Sequence, residues 1–282
     1  MTFQLRIQEQ LPESMYPICC RPINIMKMKR NTLILLALSL IFVACRSNEE
    51  STQCNISVNF SFNVNRDSLE RDSMKYVNDA GNKYMVTDLQ MIVSKLQMEH
   101  SDGTVQVFDK SVHFVDLADT STFTWTIEDV PIGIYNSIGF VFGLDSTMNV
   151  TGAYPDPPIN EMIWPESLGG GYHYMKLNCK WLADNELLPL NFHLGPEKMI
   201  DGSDTTVIDN SFVVTRTSDF EISSKFDNVF EVNVDINRWF GPTCIIDFEK
   251  TKGVWIMESH EIQEMARENG PNVFSMNKKT IK

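Results

Sequence analysis

Two histidines, a tryptophan and a run of three glycines lie close together in the middle of the chain. The histidines are His173 and His193, and the tryptophan is Trp164. A neutral imidazole is a frequent transition-metal ligand, especially when a hydrogen bond to its second nitrogen fixes the ring. Phe192 and Leu194 flank His193, so a strand that buries these two side chains turns the imidazole outward or into the mouth of a sheet. This segment is therefore the candidate site for metal chemistry, with His193 as its best ligand.

The hairpin expected around this segment does not bring the two histidines together. With its loop at residues 183–187, the hairpin places His193 opposite Leu177, on the same face as His173 but four positions away. At a strand rise of about 3.3 Å this separation is roughly 13 Å. Ligand atoms must each lie about 2 Å from the ion, so a flat hairpin excludes a shared metal. A bend at Gly169–Gly171, where three glycines permit unusual backbone angles, would shorten the gap.

His113 is a rival for the role of second ligand. It lies within a short segment of strand character, where the alternative is a partly exposed histidine without a ligand role. Met162 and Met175 carry thioether sulfurs that suit Cu(I), although methionines more commonly fill gaps in a core.

A second hypothesis needs no metal. The aromatic side chains of Trp164, Tyr172 and Tyr174, together with the proline-rich loop at residues 149–161, would form a surface that recognises a glycan or a protein partner. No nucleophile elbow, metalloprotease, phosphate-loop or dinucleotide motif occurs in the sequence. The sequence therefore favours a binding protein over an enzyme.

The N-terminal part of the chain has the pattern of an exported lipoprotein. A positively charged start and an apolar run predict a signal peptide over residues 28–44. The signal ends in Phe-Val-Ala-Cys, which resembles a bacterial lipobox and predicts that Cys45 is acylated. Residues 1–27 are expected to be a disordered, over-extended start, and residues 45–53 a flexible tether. The expected location is the cell envelope, with the protein anchored in the membrane by lipid only and facing the periplasm or the cell surface.

Composition narrows the choice of partners. The net charge is −13 and the isoelectric point is near 4.8, so there is no basic surface to bind nucleic acid phosphates.

Cys54, Cys179 and Cys244 are the cysteines of the expected mature domain. Three cysteines permit at most one disulfide and leave the pairing open, and their spacing does not match a structural zinc site.

The expected domain at residues 54–282 reads as an all-β protein. From Ile56 to Val64 apolar and polar residues alternate, which predicts a half-buried strand. Asp102-Gly103 is typical of a tight turn between two strands. One short helix is predicted over residues 258–268, with Gly270-Pro271 as its stop. The predicted fold is an antiparallel β-sandwich with one short C-terminal helix.

Several short motifs, in a shared order, resemble the MbnP-like copper-binding protein family. The residues that carry the resemblance are Met162, Trp164, Gly171-Tyr172, Lys176-Leu177 and Phe192-His193-Leu194-Gly195. The resemblance covers residues 55–276. It implies a β-sandwich on an exported bacterial protein and copper as the bound ion.

Characterised members of this family bind copper with two histidines and an oxidised tryptophan. On this chain that implies His193, with His173 or His113 as the second ligand, and Trp164. The alternative for Trp164 is that it packs over the glycines as an ordinary indole.

Overall fold

A computed structural model describes residues 51–281 of the chain, with side chains from 51 to 279. The predicted over-extended start, the predicted signal peptide, the predicted acylation site at Cys45 and most of the predicted tether lie outside the described residues. Within residues 51–281, no helix is both long and apolar enough to cross a membrane.

The described residues form mainly β-strands, as the alternating sequence pattern predicts. In chain order the strands are β1 Gln53–Val64, β2 Asp67–Ser68, β3 Tyr76–Val77, β4 Lys83–His100, β5 Val105–Asp116, β6 Thr124–Pro131, β7 Gly133–Phe142, β8 Met175–Ala183, β9 Glu186–Leu194, β10 Glu197–Asp201, β11 Asp204–Ile208, β12 Phe212–Ile222, β13 Asp227–Asp235 and β14 Phe274–Ile281. Helix α1 spans His260–Asn269. Short 3-10 turns lie at Thr120–Phe123, Ile159–Met162, Glu166–Leu168, Ile236–Phe240, Ile256–Glu258 and Gly270–Asn272.

Two sheets form the sandwich. One has the order β12-β7-β4-β8-β9, with β3 and β5 also paired to β4; the other has the order β14-β13-β1-β2, with β6 also paired to β1. Strands β10 and β11 form a separate ribbon. The predicted antiparallel all-β sandwich is confirmed, with one exception: β1 and β13 run parallel.

The core lies between the two sheets and is rich in phenylalanine. Along β1, Ile56, Val58 and Phe60 are buried in alternation with polar residues that face away from the core. The ring of Phe60 meets Phe140 of β7 edge-on at 6.0 Å between centroids. Burial of this apolar area, worth about 25 cal/mol per Å², holds the two sheets together.

The C-terminal part departs from prediction in one respect. The predicted helix is α1, with Ser259 as its N-cap accepting a hydrogen bond from the Ile262 N–H. Strand β14 follows it and pairs with residues 227–234 of β13, although the sequence pattern predicts no strand there. Cys54, Cys179 and Cys244 are all free thiols, so no disulfide joins them.

Candidate metal centre

The segment before β8 turns back on itself at the three glycines. Gly169, Gly170 and Gly171 have φ angles of 126°, 72° and 81°, a left-handed run that other residues rarely adopt. The turn allows two backbone hydrogen bonds across the loop. The Trp164 N–H donates to the Gly171 carbonyl at 2.9 Å, and the His173 N–H donates to the Met162 carbonyl at 2.6 Å.

This turn brings the tryptophan and the two histidines into one cluster. The ring centroids of Trp164 and His173 are 4.7 Å apart, and those of His173 and His193 are 5.3 Å apart. We call these three side chains the Trp–His cluster. The predicted separation of roughly 13 Å between the histidines is therefore wrong.

Two features explain the error. First, β8 begins at Met175, so His173 precedes the strand and follows the path of the glycine turn instead. Second, Asp184 and Asn185 form a two-residue turn with φ angles of 45° and 68°, as in a type I′ hairpin. This shorter loop shifts the pairing by one residue, so His193 lies opposite Lys176 rather than Leu177.

One ring nitrogen of each imidazole lies within hydrogen-bonding distance of an oxygen atom. His173 Nδ1 lies 3.0 Å from the Met162 carbonyl oxygen, and His193 Nε2 lies 2.9 Å from Asn178 Oδ1. The Met162 carbonyl can only accept, so His173 Nδ1 carries the proton, and His193 Nε2 carries it when the Asn178 amide presents its oxygen. His173 Nε2 and His193 Nδ1 therefore carry the lone pairs that a metal ligand needs.

Burial keeps both rings neutral. His173 is only 6% exposed, and burial lowers its pKa to about 3. Burial, together with the nearby positive charge of Lys176, lowers the pKa of His193 to about 4. A neutral imidazole is the form that binds metal, so neither ring must first lose a proton at neutral pH.

Trp164 forms one wall of the cluster. Its indole is fully buried, and its Nε1–H donates to the Leu168 carbonyl at 3.3 Å. Gly195 lies against the ring so closely that a Cβ there would be 2.6 Å from Trp164 Cδ2. An intact indole nitrogen is a donor only, so the side chain in this form packs and does not coordinate.

The structure separates the remaining candidate ligands from the cluster. His113 stacks between Phe60 and Trp125, with centroid distances of 6.1 Å and 5.8 Å, and its Nε2 bonds to the Thr122 carbonyl at 2.7 Å. His113 therefore does not supply a second ligand to this cluster. The second histidine beside His193 is His173.

The two methionines are core residues. Met175 belongs to the main core between the sheets. The side chain of Met162 packs in a smaller cluster with Ile92, Leu144 and Tyr172, while its carbonyl accepts the hydrogen bonds of His173.

The surface proposed for a glycan or protein partner is not a surface. Trp164, Tyr172 and Tyr174 are each at most 1% exposed. The Tyr172 hydroxyl bonds to the backbone of Tyr154, and the Tyr174 hydroxyl donates to Asp209 at 2.9 Å. These three aromatic side chains hold the loops together from inside, so they offer no contact surface to a glycan or protein partner.

Sequence reasoning missed Gln263, the residue that ties the cluster to helix α1. Its side-chain amide donates to the carbonyls of His193 at 2.8 Å and Ile256 at 3.1 Å, and its oxygen accepts from the Gly195 N–H. Gln263 is 1% exposed. The one available signal was a polar residue at a helix position that faces the core.

The cluster contains no carboxylate set. Within residues 51–281, no group of three or more His, Cys, Asp or Glu side chains is placed to hold a metal ion. Lys176 is close enough for its positive charge to lower the pKa of both histidines, and its Nζ donates to the Glu161 carbonyl at 2.6 Å. The arrangement is thus a pair of neutral nitrogen donors in an apolar setting with one cation beside it.

In class, the molecule is an antiparallel β-sandwich with two histidines clustered beside a buried tryptophan. The sequence model of the MbnP family matches residues 53–258, which is most of the chain, and the chain belongs to the MbnP family. The solved structure of MbnP from Methylosinus trichosporium has a similar fold, with a TM-score of 0.51 at 13% identity. The match covers 81% of this chain and 99% of that one. No match was found among curated protein sequences.

Proposed function

We propose that this protein binds one Cu(I) ion through His173 Nε2 and His193 Nδ1, with Trp164 as the adjoining wall. Family membership supports a copper-associated role in general, and MbnP-like domains are not known as an enzyme family. The observation that carries the proposal is the 5.3 Å between the two imidazole centroids. With metal–nitrogen bonds of about 2 Å, two rings that share an ion stand roughly 5–6 Å apart.

The chemistry of the cluster favours Cu(I) over a divalent ion. Two neutral nitrogen donors leave the charge of the ion uncompensated, and Lys176 adds a further positive charge nearby. This arrangement is less unfavourable for a monovalent ion than for Cu(II) or Zn(II), because repulsion grows with the charge of the ion. Cu(I) also accepts low coordination numbers and soft ligands.

Beside the proposed copper ion, Trp164 is either an intact indole or an oxidised form of it, and the two forms differ in mass. Oxidation that opens the indole ring exposes an amine nitrogen with a lone pair, which would make the residue a third ligand. We propose the intact form for the purified protein, because the indole N–H already donates to the Leu168 carbonyl and the ring packs closely against Gly195. Intact mass spectrometry compared with the mass calculated from the sequence decides between the two forms.

Competition with a chromophoric Cu(I) chelator under anaerobic conditions tests the proposal. The wild-type protein should bind about one ion per chain. His193→Ala should weaken binding by more than the 10–100-fold typical of losing a residue that only supports a ligand. His100→Gln is the matched control, because His100 packs on Tyr135 at 4.1 Å, away from the cluster. If the wild type binds no better than His193→Ala, the proposal is wrong.

The location of the protein is a separate proposal that is supported by the sequence pattern alone. We propose that Cys45 is the acylated N-terminus of the mature protein and that the lipid anchors the sandwich in the cell envelope. Cys45→Ala should move the protein from the membrane fraction to the soluble fraction. Detection of an intact chain that retains residues 1–44 would contradict this proposal.

A further inference from the structure

An open groove runs beside the Trp–His cluster. Its volume is about 540 Å³, and it lies between the β8–β9 hairpin and the segment at residues 251–257. Most of its lining is apolar, including Trp181, Leu190 and Trp255. Trp255 is 76% exposed, more than any other large apolar side chain in the described part of the chain.

The groove reaches the cluster through one residue. His193 lines it, whereas Trp164 and His173 do not. Trp164 is fully buried and His173 is 6% exposed, so neither offers a direct path from solvent. Of the three residues in the Trp–His cluster, His193 is therefore the one that an ion reaches from the groove.

Met257 lines the same groove and is half-buried. Besides His193, it is the lining residue with a soft donor atom suited to Cu(I), namely its thioether sulfur. A thioether is neutral and does not titrate, so it binds Cu(I) without competition from protons. It also discriminates against hard ions such as Mg²⁺ and Ca²⁺, which prefer oxygen ligands.

Gln263 ties the backbone just before Met257 to the backbone of His193. Its buried amide donates at the same time to the carbonyl of His193 and to that of Ile256, the residue before Met257. Two hydrogen bonds from one planar amide hold the two backbone segments in a set geometry. The Gln263 side chain thus holds together the two backbone segments that place Met257 and His193 on the same groove.

We propose that this groove is the route by which Cu(I) enters and leaves, and that the Met257 sulfur is its transient ligand before transfer to His193. The inference rests on the proposed function of His173 and His193 as resident ligands. The ion keeps its oxidation state throughout. A sulfur–copper bond breaks as the bond to His193 Nδ1 forms, so the transfer needs no proton and no electron.

A transient ligand changes rates and not the equilibrium. Met257→Leu keeps the size and apolar character of the side chain and removes only the sulfur. The uptake of Cu(I) from its violet complex with bicinchoninate is monitored by the loss of colour in stopped flow. We expect this uptake to slow about tenfold, which corresponds to a barrier raised by about 1.4 kcal/mol. Release to excess chelator should slow by the same factor, so the affinity stays within about twofold.

Met199→Leu is the matched control, because Met199 is 40% exposed on strand β10 and does not line the groove. This variant should exchange copper like the wild type. Unchanged rates in Met257→Leu would overturn the inference. An affinity that falls with unchanged uptake, or falls as much as the uptake rate, would make Met257 a resident ligand and also overturn it.

Failure of the proposed function has a different signature. In that case the wild type and His193→Ala take up copper equally poorly, and the proposed entrance route is wrong together with the proposed site. If the wild type binds copper and His193→Ala does not, the rates of Met257→Leu decide the route alone.

Discussion

Two histidines of this sandwich have similar surroundings, yet only one of them faces a second imidazole. His113 and His173 both lie against a tryptophan, at 5.8 Å and 4.7 Å between ring centroids. Both bond to a backbone carbonyl, and burial lowers the pKa of both. The difference is that a second imidazole faces His173, whereas His113 is stacked between Phe60 and Trp125.

Burial, a perturbed pKa and a neighbouring tryptophan do not define a metal site by themselves. These features accompany any histidine packed into a core. A site requires a second donor delivered by another segment at a distance that one ion can bridge. Here β9 delivers His193, and the glycine turn delivers His173.

The largest expected effect is the loss of folding stability in acid. His173 and His193 have pKa values of about 3 and about 4 in the folded protein, against the ordinary 6.5. Between these values the unfolded chain binds more protons, so the stability from neutral burial is complete above pH 6.5 and is lost as the pH falls. At about 1.36 kcal/mol per pKa unit, the loss by pH 4 should be on the order of a few kcal/mol.

Urea unfolding of the metal-free protein at a series of pH values from 7 to 4 measures this loss. A double variant, His173→Gln with His193→Gln, should show a shallower decline than the wild type. Equal slopes for the two proteins would contradict the view that these two rings are held neutral by burial.

Gly170→Val should give the next largest effect, because it disturbs the turn that delivers His173. Gly170 has φ +72°, and an added Cβ would lie 2.7 Å from Glu166 Oε2. Left-handed strain in a β-branched residue costs about 1–3 kcal/mol, and thermal unfolding measures the loss. Copper affinity should fall as well, while Gly103→Ala, at a left-handed turn with open space around it, should leave copper affinity unchanged.

How far the sequence predicts this arrangement can be judged from single elements. The alternation from Ile56 to Val64 predicts β1 directly, because in a strand it places the apolar side chains on one face, where they can be buried together. Asp102-Gly103 likewise predicts the turn between β4 and β5, since its backbone angles depend on local residues. Such elements are encoded within a few neighbouring positions.

The centre of the site is not encoded locally. The distance between His173 and His193 depends on a two-residue turn at Asp184-Asn185 and on a glycine run whose direction is set by bonds to Met162 and Trp164. Strand β14 was missed for a related reason, because its Ser275, Asn277 and Lys279 make it look like a polar tail until it pairs with β13.

The smallest expected effect is the loss of stability when His113 is changed. His113→Gln removes the ring that stacks between Phe60 and Trp125, which should cost about 1 kcal/mol, the usual worth of an aromatic pair. Copper affinity should not change. Chemical denaturation and chelator competition on the same preparation measure the two quantities together. A loss of copper affinity in this variant would move the second ligand from His173 to His113.

The most direct test of the account is a double-mutant cycle on Cu(I) affinity with His173→Ala, His193→Ala and the variant carrying both. If both rings hold one ion, each single change should weaken binding by more than about 100-fold. The double change should then add little, because the second ligand has nothing left to share. Additive losses, or a single variant that binds like the wild type, would contradict the claim that these two imidazoles form one copper site.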